Sequence, residues 1–382
     1  MSTYLITGAT GFLGHHLVPA LLDAGHTLVA LTRRPAPALE AQGVQVVIGD
    51  VCDAESVKKA AKGCDGLFHC AGIVSRDPED TKKMYDVHVN GTKITLDAAK
   101  EAGIKRVVYM STSGTVAIRE KKKPIPNEDS HAPYTIAGKW PYYRTKLYAE
   151  QEALKRNTGN FEVVSLNPSL LLGPGDLRGG STEDIRLFIE KQIPAIPKGG
   201  LSYVDVRDVA KVCLTAMEKG KAGQRYLLGA CNITFEEYLN RLSRLSGVSA
   251  PWMQAPKNDF IADMGTSLLR KVQSTFGTKN ALDDASLEMA RYFWYLDASR
   301  AKKDLDFSPI DSVQTLKDTI DDMFARGAVW PVDEEKPDPV DNIKQTAQDT
   351  QHRLTELFAK HASKIAADIA ADTVSKAIQK RK

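Results

Sequence analysis

The sequence predicts an α/β fold: a doubly wound parallel sheet, a smaller C-terminal lobe and an appended amphipathic helix. Three observations support this. Short apolar runs alternate with helical stretches up to about residue 170, a glycine-rich turn follows the first run, and the composition changes after residue 330. Parallel strands covered by helices on both faces are apolar along their whole length, as these runs are.

The predicted strands follow one another at short intervals. The first lies at residues 4–6, and the others are at residues 28–31, 44–48, 67–71, 106–110 and 163–166. Helical stretches lie between them, for example at residues 89–102 and 142–155. Strand–helix alternation of this kind is typical of a Rossmann-type sheet, which binds its ligands at the carboxyl ends of the strands.

The turn after the first strand, TGATGFLG at residues 7–14, has the pattern of a phosphate-binding loop. Gly8 lets the chain turn sharply, Gly11 lets the backbone approach a pyrophosphate, and Gly14 lets the next helix pack against the sheet. The positive end of that helix then faces the anion. The predicted dinucleotide contacts are Gly8, Thr10, Gly11, Phe12, Leu13 and Gly14.

The end of the second strand indicates which dinucleotide is bound. An acidic residue at this place binds a free ribose 2′-hydroxyl, whereas an arginine accommodates a 2′-phosphate. The sequence has Arg33 and Arg34 and no acid here, which predicts NADP(H) rather than NAD(H). Asp50 and Val51 follow the third strand, where a carboxylate can reach the adenine amine.

Tyr142 and Lys146 form the most specific pair of residues. They are four positions apart on a predicted helix, so their side chains share one face. A free tyrosine ionises near pH ~10, and a neighbouring ammonium lowers that pKa toward neutrality. The hydroxyl-rich stretch 111–113 ends the fifth strand, where a hydroxyl can hold a substrate carbonyl against Tyr142. Lys146 can also hold the nicotinamide ribose.

Together these motifs resemble the extended short-chain dehydrogenases/reductases of the NAD(P)-dependent epimerase/dehydratase family, in particular the dihydroflavonol-reductase and 3β-hydroxysteroid-dehydrogenase-like branch. The resemblance covers about residues 1–325 and is specific in combination. The matching stretches are residues 7–14, 50–51, 69–72, 90–92, 111–116, 142–146, 167–169, 173–175 and 203–209.

The resemblance implies a role for each matching residue. Tyr142 becomes the general acid, and Lys146 becomes its pKa-lowering, ribose-binding partner. Ser113 becomes the hydroxyl that orients the substrate, with Thr112 as the alternative one position earlier. Further cofactor contacts are implied at Ala71, Pro168 and Ser169, the last two beside the nicotinamide. No metal is implied.

The predicted reaction is NADPH-dependent reduction of a ketone or aldehyde, with a bulky or lipid-like substrate as one option. Dehydratases of the family carry Asp-Glu in the turn after the fifth strand, where this chain has no carboxylate at residues 113–115. One alternative is a nucleotide-sugar epimerase with retained NAD. It needs cations for the diphosphate, and Arg178, Arg186 and Arg207 are the candidates.

A second alternative is a non-catalytic NADP-sensing regulator or scaffold. It is disfavoured because the chain keeps both Tyr142 and Lys146. His69 and His88 invite a catalytic role, but their strand and helix positions favour structural histidines. Asn90 either braces the site or is an ordinary structural asparagine.

The predicted domains are an NADP-binding core at residues 1–170 and a substrate lobe at 171–330 with segments that return to the core. An acidic, proline-rich linker follows at 331–342, and an amphipathic helix at 343–382. Apolar residues recur along that helix at helical spacing, and its end is basic. Both self-association and docking to a membrane surface fit this pattern.

Charge and cysteine usage narrow the partners and the compartment. A net charge of +3 argues against nucleic acid. The five cysteines show no C-x-x-C spacing, which predicts free thiols in a reducing cytoplasm, with peripheral membrane contact through the tail as an option. The expected partner is a small carbonyl substrate. The resemblance implies a homodimer through two helices that flank the sheet, one of them at residues 142–155.

Overall fold

The computed structural model of the chain describes residues 1–254 and 284–330. In these residues, ten strands follow in chain order: β1 (Thr3–Thr7), β2 (Thr27–Thr32), β3 (Gln45–Ile48), β4 (Gly66–His69), β5 (Arg106–Met110), β6 (Glu162–Pro168), β7 (Leu170–Leu172), β8 (Gly200–Asp205), β9 (Arg225–Leu228) and β10 (Cys231–Thr234).

The α-helices of the same residues are α1 (Phe12–Asp23), α2 (Pro37–Glu40), α3 (Ala54–Ala61), α4 (Thr81–Tyr85), α5 (Gly91–Glu101), α6 (Tyr134–Ala137), α7 (Pro141–Lys155), α8 (Glu183–Ile189), α9 (Val206–Lys219), α10 (Phe235–Ser246), α11 (Asp284–Met289), α12 (Ser299–Asp304) and α13 (Ser312–Ala325). A π-helical turn, Asp86–Asn90, connects α4 to α5, and a 3₁₀ turn, Ser113–Thr115, follows β5.

Seven strands form the main sheet in the order β3-β2-β1-β4-β5-β6-β9, and all neighbours are parallel. This confirms the predicted fold class and all six predicted strands. The order reverses between β1 and β4, and in such sheets the crevice beyond the strands at this point binds the ligand. The seventh strand, β9, was not predicted, because it is a four-residue run far from its neighbour β6 in sequence.

Alternate residues of each strand point to opposite helical layers. Leu5 and Val107 lie in one buried cluster with side chains of α3, α5 and α7. Ile6 and Val108 lie in a second cluster with side chains of α1 and α9. Complete burial of one such aliphatic side chain stabilises the fold by about 1.5–3 kcal/mol, so the two layers hold the sheet and its loops in place.

The smaller lobe contains a three-stranded sheet in the order β10-β8-β7. β10 is antiparallel to β8, and β7 is parallel to it. A third apolar cluster joins this sheet to α8, α10 and α13. Between β8 and β10 the chain returns to the main sheet, where α9 packs in the layer of α1 and β9 pairs with β6.

The lobe predicted at residues 171–330 also carries the helices α10 and α11. The predicted linker at 331–342 and the tail helix at 343–382 lie outside the described residues. None of the described helices combines the length and the apolar character that crossing a bilayer requires. Residues Met1–Trp330 form one compact unit.

Candidate active site

The turn between β1 and α1 is shaped by two glycines. Gly8 has φ +77°, and a Cβ there would lie 2.7 Å from the carbonyl carbon and oxygen of Cys70, so both conformation and space require glycine. A Cβ on Gly14 would lie 2.5 Å from the carbonyl oxygen of Gly8. Gly14 therefore permits close contact within the turn itself, whereas the sequence predicted contact with the sheet.

The first turn of α1 is open to an anion. Gly11 is its N-cap, no side chain caps the helix, and its first turn has no acidic residue. The nearest atom to a Cβ built on Gly11 is the carbonyl oxygen of Gly8, at 3.2 Å, so this side of the turn has room for a ligand. The N–H groups at Phe12 and Leu13, with exposed Thr10 beside them, suit a dinucleotide diphosphate.

The carboxyl ends of β2 and β3 lie side by side, because the two strands are parallel neighbours in the sheet. Burial raises the pKa of the Cys52 thiol to about 11, and Asp50 adds to the rise while Arg33 opposes it, so all three lie close together. Arg33 and Arg34 are exposed, and within residues 1–254 and 284–330 neither forms an ion pair. Asp50 accepts a hydrogen bond from the Cys52 N–H at 2.9 Å, and Val51 is partly buried. The geometry fits the predicted adenosine side of the cofactor.

His69 is a structural residue at the end of β4, as predicted. Its Nδ1 lies 2.8 Å from Thr7 Oγ1 and its Nε2 lies 3.3 Å from Thr92 Oγ1. Burial lowers the pKa of His69 to about 3, so the ring is neutral. Thr7 Oγ1 also accepts a hydrogen bond from the Ala71 N–H at 3.2 Å, which ties the ends of β1 and β4 together at the crevice.

His88 is also structural, and its tautomer follows from its partners. Its Nε2 accepts a hydrogen bond from the Ile73 N–H at 3.0 Å, so Nδ1 carries the proton toward Thr145 Oγ1, 2.8 Å away. Burial, with a smaller effect from Lys146, lowers the pKa of His88 to about 3. The ring lies 5.7 Å from the Tyr142 ring, edge to face, and supports it.

Asn90 serves its own helical turn. Its Nδ2 donates to Asp86 Oδ1 at 3.1 Å, four residues earlier in the π-helical turn. Of the two readings of Asn90, this contact supports the structural one.

Lys146 connects α7 to the end of β5. Its Nζ donates to the Met110 carbonyl oxygen at 2.6 Å and lies 3.4 Å from the Tyr109 hydroxyl. Burial lowers the pKa of Lys146 to about 8, and Glu150 is the main group that opposes this shift. The Tyr142–Lys146 face of the helix therefore stands at the carboxyl end of β5, where ligands bind in such sheets.

The pKa of Tyr142 shifts in the opposite direction from the one predicted. The sequence suggested that Lys146 lowers it, but burial raises it, and Tyr143 adds to the rise. The physical reason is that the Lys146 ammonium is turned to the Met110 carbonyl. The partly exposed Tyr142 ring packs instead against the rings of His88 and Tyr143. The protonated phenol is the stable form, which suits a proton donor.

The turn after β5 distinguishes the two candidate hydroxyls. Thr112 Oγ1 accepts a hydrogen bond from the Gly114 N–H at 3.4 Å and so shapes the turn. Ser113 is buried, and among the described residues its hydroxyl has no hydrogen-bond partner. A Cβ on Gly114 would overlap the Tyr143 ring, so this glycine lets the aromatic ring cover the turn.

A buried carboxylate behind this turn was missed in the sequence. Glu150 is 2% exposed and lies on α7, one helical turn after Lys146. Its carboxylate accepts hydrogen bonds from Ser111, Thr115 and Asn167, and pairs with Arg225 on β9. The repeat of polar residues at 142, 146 and 150 on one helical face is the signal that was available.

The last residues of β6 and the residue that follows them differ in their surroundings. Asn167 is fully buried and its amide is engaged with Glu150, so it faces the protein. Pro168 is buried at the end of the strand. Ser169 is 7% exposed, and its hydroxyl has no hydrogen-bond partner in the part of the chain that the structure describes. A buried hydroxyl without a partner costs about 1–3 kcal/mol, so Ser169 fits a contact with a bound nicotinamide.

Two of the three arginines considered for a sugar diphosphate are committed elsewhere. Arg186 pairs with Glu183 at 2.6 Å and with Glu190. Arg207 pairs with Asp205 at 2.7 Å and with Asp318 at 2.6 Å. Arg178 is exposed. In the described residues, no cluster of His, Cys, Asp and Glu is arranged to hold a metal ion.

Residues 4–229 match the family model described as NAD dependent epimerase/dehydratase family. The chain belongs to this family. The match spans the phosphate-binding turn, the Tyr142–Lys146 pair and β9. Membership makes the protein an NAD(P)-dependent oxidoreductase of the extended short-chain type.

Two curated relatives align over most of their length. A Synechocystis protein provisionally assigned as a dihydroflavonol 4-reductase is 32% identical, over 83% of this chain and 93% of the relative. Sterol demethylase protein B of Methylococcus capsulatus is 30% identical, over 86% of this chain and all of the relative.

The solved structure of a nucleoside-diphosphate-sugar epimerase from Pseudomonas aeruginosa superposes with a TM-score of 0.70. It covers 86% of this chain and 99% of the epimerase, at 22% identity, which shows the fold that the family members share.

Proposed function

We propose that this family member is an NADPH-dependent reductase that reduces a ketone or aldehyde, with Tyr142 as the proton donor. One observation carries the proposal: the 2.6 Å hydrogen bond from Lys146 Nζ to the Met110 carbonyl oxygen. It holds the Tyr142 face of α7 at the end of β5, immediately before the turn that contains Ser113. Proton donor, cation and orienting hydroxyl thus meet at one edge of the sheet.

In the proposed reaction, Pro168 and Ser169 would hold the nicotinamide, which when bound would supply the hydride for the carbonyl carbon. Ser113 donates a hydrogen bond to the carbonyl oxygen and orients it toward Tyr142. The Tyr142 hydroxyl gives its proton to that oxygen as negative charge develops there. Lys146, held at the end of β5, binds the ribose hydroxyls through its ammonium group. Solvent then returns the proton to Tyr142.

The preference for NADP(H) is supported by Arg33 and Arg34. Both are exposed after β2, and neither is used in an ion pair within the described part of the chain. Arg33 lies near Asp50, at the edge that suits the adenosine. Guanidinium groups without a protein partner match a 2′-phosphate in charge and geometry.

A bulky, apolar carbonyl substrate is supported by the surroundings of Tyr142. The Trp294 ring packs on Tyr143 with a centroid distance of 4.8 Å and on Trp140 with 5.8 Å. Trp140 is buried, so part of this aromatic group is core, while Tyr143 covers the turn beside Ser113. The names of the two relatives, a provisionally assigned dihydroflavonol 4-reductase and sterol demethylase protein B, both refer to ring-containing compounds.

The epimerase reading has less support. The internal ion pairs of Arg186 and Arg207 remove two of the cations that a sugar diphosphate requires. A non-catalytic regulator does not require Tyr142, Lys146 and Ser113 to meet at one strand end.

The proposal is tested with two variants and a cofactor titration. In calorimetry, wild type is expected to bind NADPH more tightly than NADH. Arg33→Ala is expected to weaken NADPH alone, by about tenfold to a hundredfold for a lost charge-assisted contact. Tyr142→Phe is expected to lower kcat on ketones or aldehydes by about 10²–10⁴-fold, with NADPH affinity unchanged.

Two results would contradict the proposal. Preference for NADH, or NAD retained through purification, favours the epimerase. Undiminished turnover by Tyr142→Phe removes Tyr142 from its role.

A further inference from the structure

Glu150 touches every element that shapes the turn after β5. Its Oε2 accepts hydrogen bonds from Ser111 Oγ, from Thr115 Oγ1 at 2.8 Å and from Asn167 Nδ2 at 2.6 Å. Its Oε1 lies 2.9 Å from Arg225 Nε on the edge strand β9. One carboxylate of α7 thus connects this helix, which carries Tyr142 and Lys146, to the carboxyl ends of β5 and β6 and to the first residue of β9.

The donors to Glu150 also hold the backbone of the turn. Asn167 Nδ2 reaches the Thr112 carbonyl oxygen at 3.1 Å, and Thr115 Oγ1 reaches the same oxygen at 2.9 Å. Ser165 Oγ donates to Asn167 Oδ1 at 2.9 Å, which fixes the amide so that Nδ2 faces the carboxylate. Thr112 immediately precedes Ser113, so the position of the Ser113 hydroxyl depends on this acceptor.

We propose that Glu150 is a positioning residue, whose buried carboxylate keeps the turn that bears Ser113 in register with the Tyr142–Lys146 face of α7. The inference rests on the proposed reduction. Glu150 acts through the turn and contacts no substrate, because its oxygens are engaged by four protein groups. A displacement of about 1 Å in a group that orients substrate lowers the rate by about a hundredfold.

The charge of Glu150 also acts on Lys146. The titratable groups that face Lys146 are Glu150 on the same helix, Cys70 and His69 after and at the end of β4, His88 of the π-helical turn and Tyr109 of β5. Both histidines are neutral, with pKa values of about 3, and burial raises the pKa of the Cys70 thiol to about 12. Among these groups Glu150 has the largest effect in favour of the protonated form of Lys146.

Glu150 also lines a cavity of about 430 Å³. Thr115, Leu147, Glu150, Gln151 and Arg225 are among its lining residues. A small carboxylate such as formate has ample room in it, since a water molecule takes about 30 Å³ of liquid volume. Shortening the Glu150 side chain opens its place to solutes that enter the cavity.

The test begins with Glu150→Gln and with Glu152→Gln as the matched control on the same helix, where Glu152 pairs with Lys155 and Arg156. The side-chain amide of this variant can take two orientations. In one its N–H groups point at the Asn167 donor, and in the other they point at the Arg225 donor, so one hydrogen bond is lost in either case. We expect kcat to fall by about tenfold to a hundredfold in Glu150→Gln, with NADPH affinity and the control unchanged. Thr115→Val, which removes one donor and keeps the Arg225 pair, serves if Glu150→Gln does not fold.

Chemical rescue separates positioning by a carboxylate from general loss of structure. Formate is expected to restore kcat of Glu150→Ala by at least about fivefold, whereas neutral formamide is not, because the missing group is a charged acceptor. A second readout needs neither substrate nor cofactor: the ¹³C NMR titration of the labelled Lys146 side chain. The pH at the midpoint of the Lys146 titration is expected to fall in Glu150→Gln and in Glu150→Ala. Formate is expected to raise it again in Glu150→Ala.

Three results would overturn the inference: normal kcat in folded Glu150→Gln, equal rescue by formamide and formate, or an unchanged Lys146 midpoint. Failure of the wild-type protein to reduce any carbonyl compound overturns the proposed function instead, so the two failures are distinguishable.

Discussion

At the scale of single residues, the pKa of Lys146 is the one that bears most directly on the proposed reaction. Burial lowers the pKa of this lysine to about 8, although Glu150 opposes the shift. The proposed reaction needs the ammonium form, which binds the nicotinamide ribose. The pKa of Tyr142 is raised by burial, so a loss of activity in mild alkali is assigned to Lys146 rather than to Tyr142.

We therefore expect kcat to decrease as the pH rises through about 8, the pKa of Lys146. Stability is expected to change in the other direction. The unfolded chain keeps this proton up to pH ~10, so between pH ~8 and ~10 it binds more protons than the native state, and the Lys146 contribution to the free energy of unfolding rises with pH. The measurement is a pH–rate profile beside urea denaturation at each pH.

Lys155→Gln is the control for this prediction, because Lys155 lies on the same helix and its side chain is 68% exposed. This substitution is expected to leave the pH dependence of kcat and that of the free energy of unfolding unchanged. A rate that stays constant up to pH ~9.5 would show that the charge of Lys146 is not required.

Residues at local spacing could be predicted at this scale, and residues with distant partners could not. Tyr142 and Lys146 share a helical face at any tertiary arrangement. The role of Glu150 depends on its contacts with Ser111, Asn167 and Arg225. These residues approach it only when β5, β6 and β9 lie side by side.

At the scale of elements, the β1–α1 turn shows how tightly a loop with the glycine pattern of a phosphate-binding site is built. A Cβ on Gly14 would lie 2.5 Å from the Gly8 carbonyl oxygen, which is main chain and cannot rotate away. Gly14→Ala therefore moves the turn or the first residues of α1. We expect the free energy of unfolding to fall by about 1–3 kcal/mol, as for other overpacked sites, and NADPH affinity to fall with it.

Gly180→Ala is the matched control, since a Cβ there meets nothing within 4 Å. Thermal unfolding and calorimetric titration of the two variants check the prediction. Equal stability of Gly14→Ala and wild type would mean that the turn relaxes without cost.

The strands of the main sheet were predictable because both of their faces are buried, which makes them continuously apolar. The strand β9 and the helix α8 were not predicted. Each is short, and each is held by neighbours that are distant in sequence: β9 by β6, and α8 by the small sheet and α10.

At the scale of the whole molecule, residues Met1–Trp330 form one compact unit that contains every residue of the candidate site. We expect a chain ending at residue 330 to remain folded and to keep its NADPH affinity and kcat. Circular dichroism, calorimetry and the carbonyl-reduction assay check this. An insoluble or inactive product would show that residues 331–382 belong to the core.

Light scattering on the same two chains tests the association predicted from the sequence. If the dimer forms through the helices that flank the sheet, we expect the chain that ends at residue 330 to remain dimeric. A change from dimer to monomer on truncation would assign the association to the tail instead.

The sequence by itself determined the α/β class, the phosphate-binding turn and the Tyr142–Lys146 face, because each depends on residues within a few positions of one another. The tertiary structure decided the direction of the Tyr142 pKa shift, the engagement of Arg186 and Arg207, and the network around Glu150. These depend on burial and on contacts between elements that are distant in the chain. Burial and long-range contact arise only when the sheet is assembled, so no local pattern contains them.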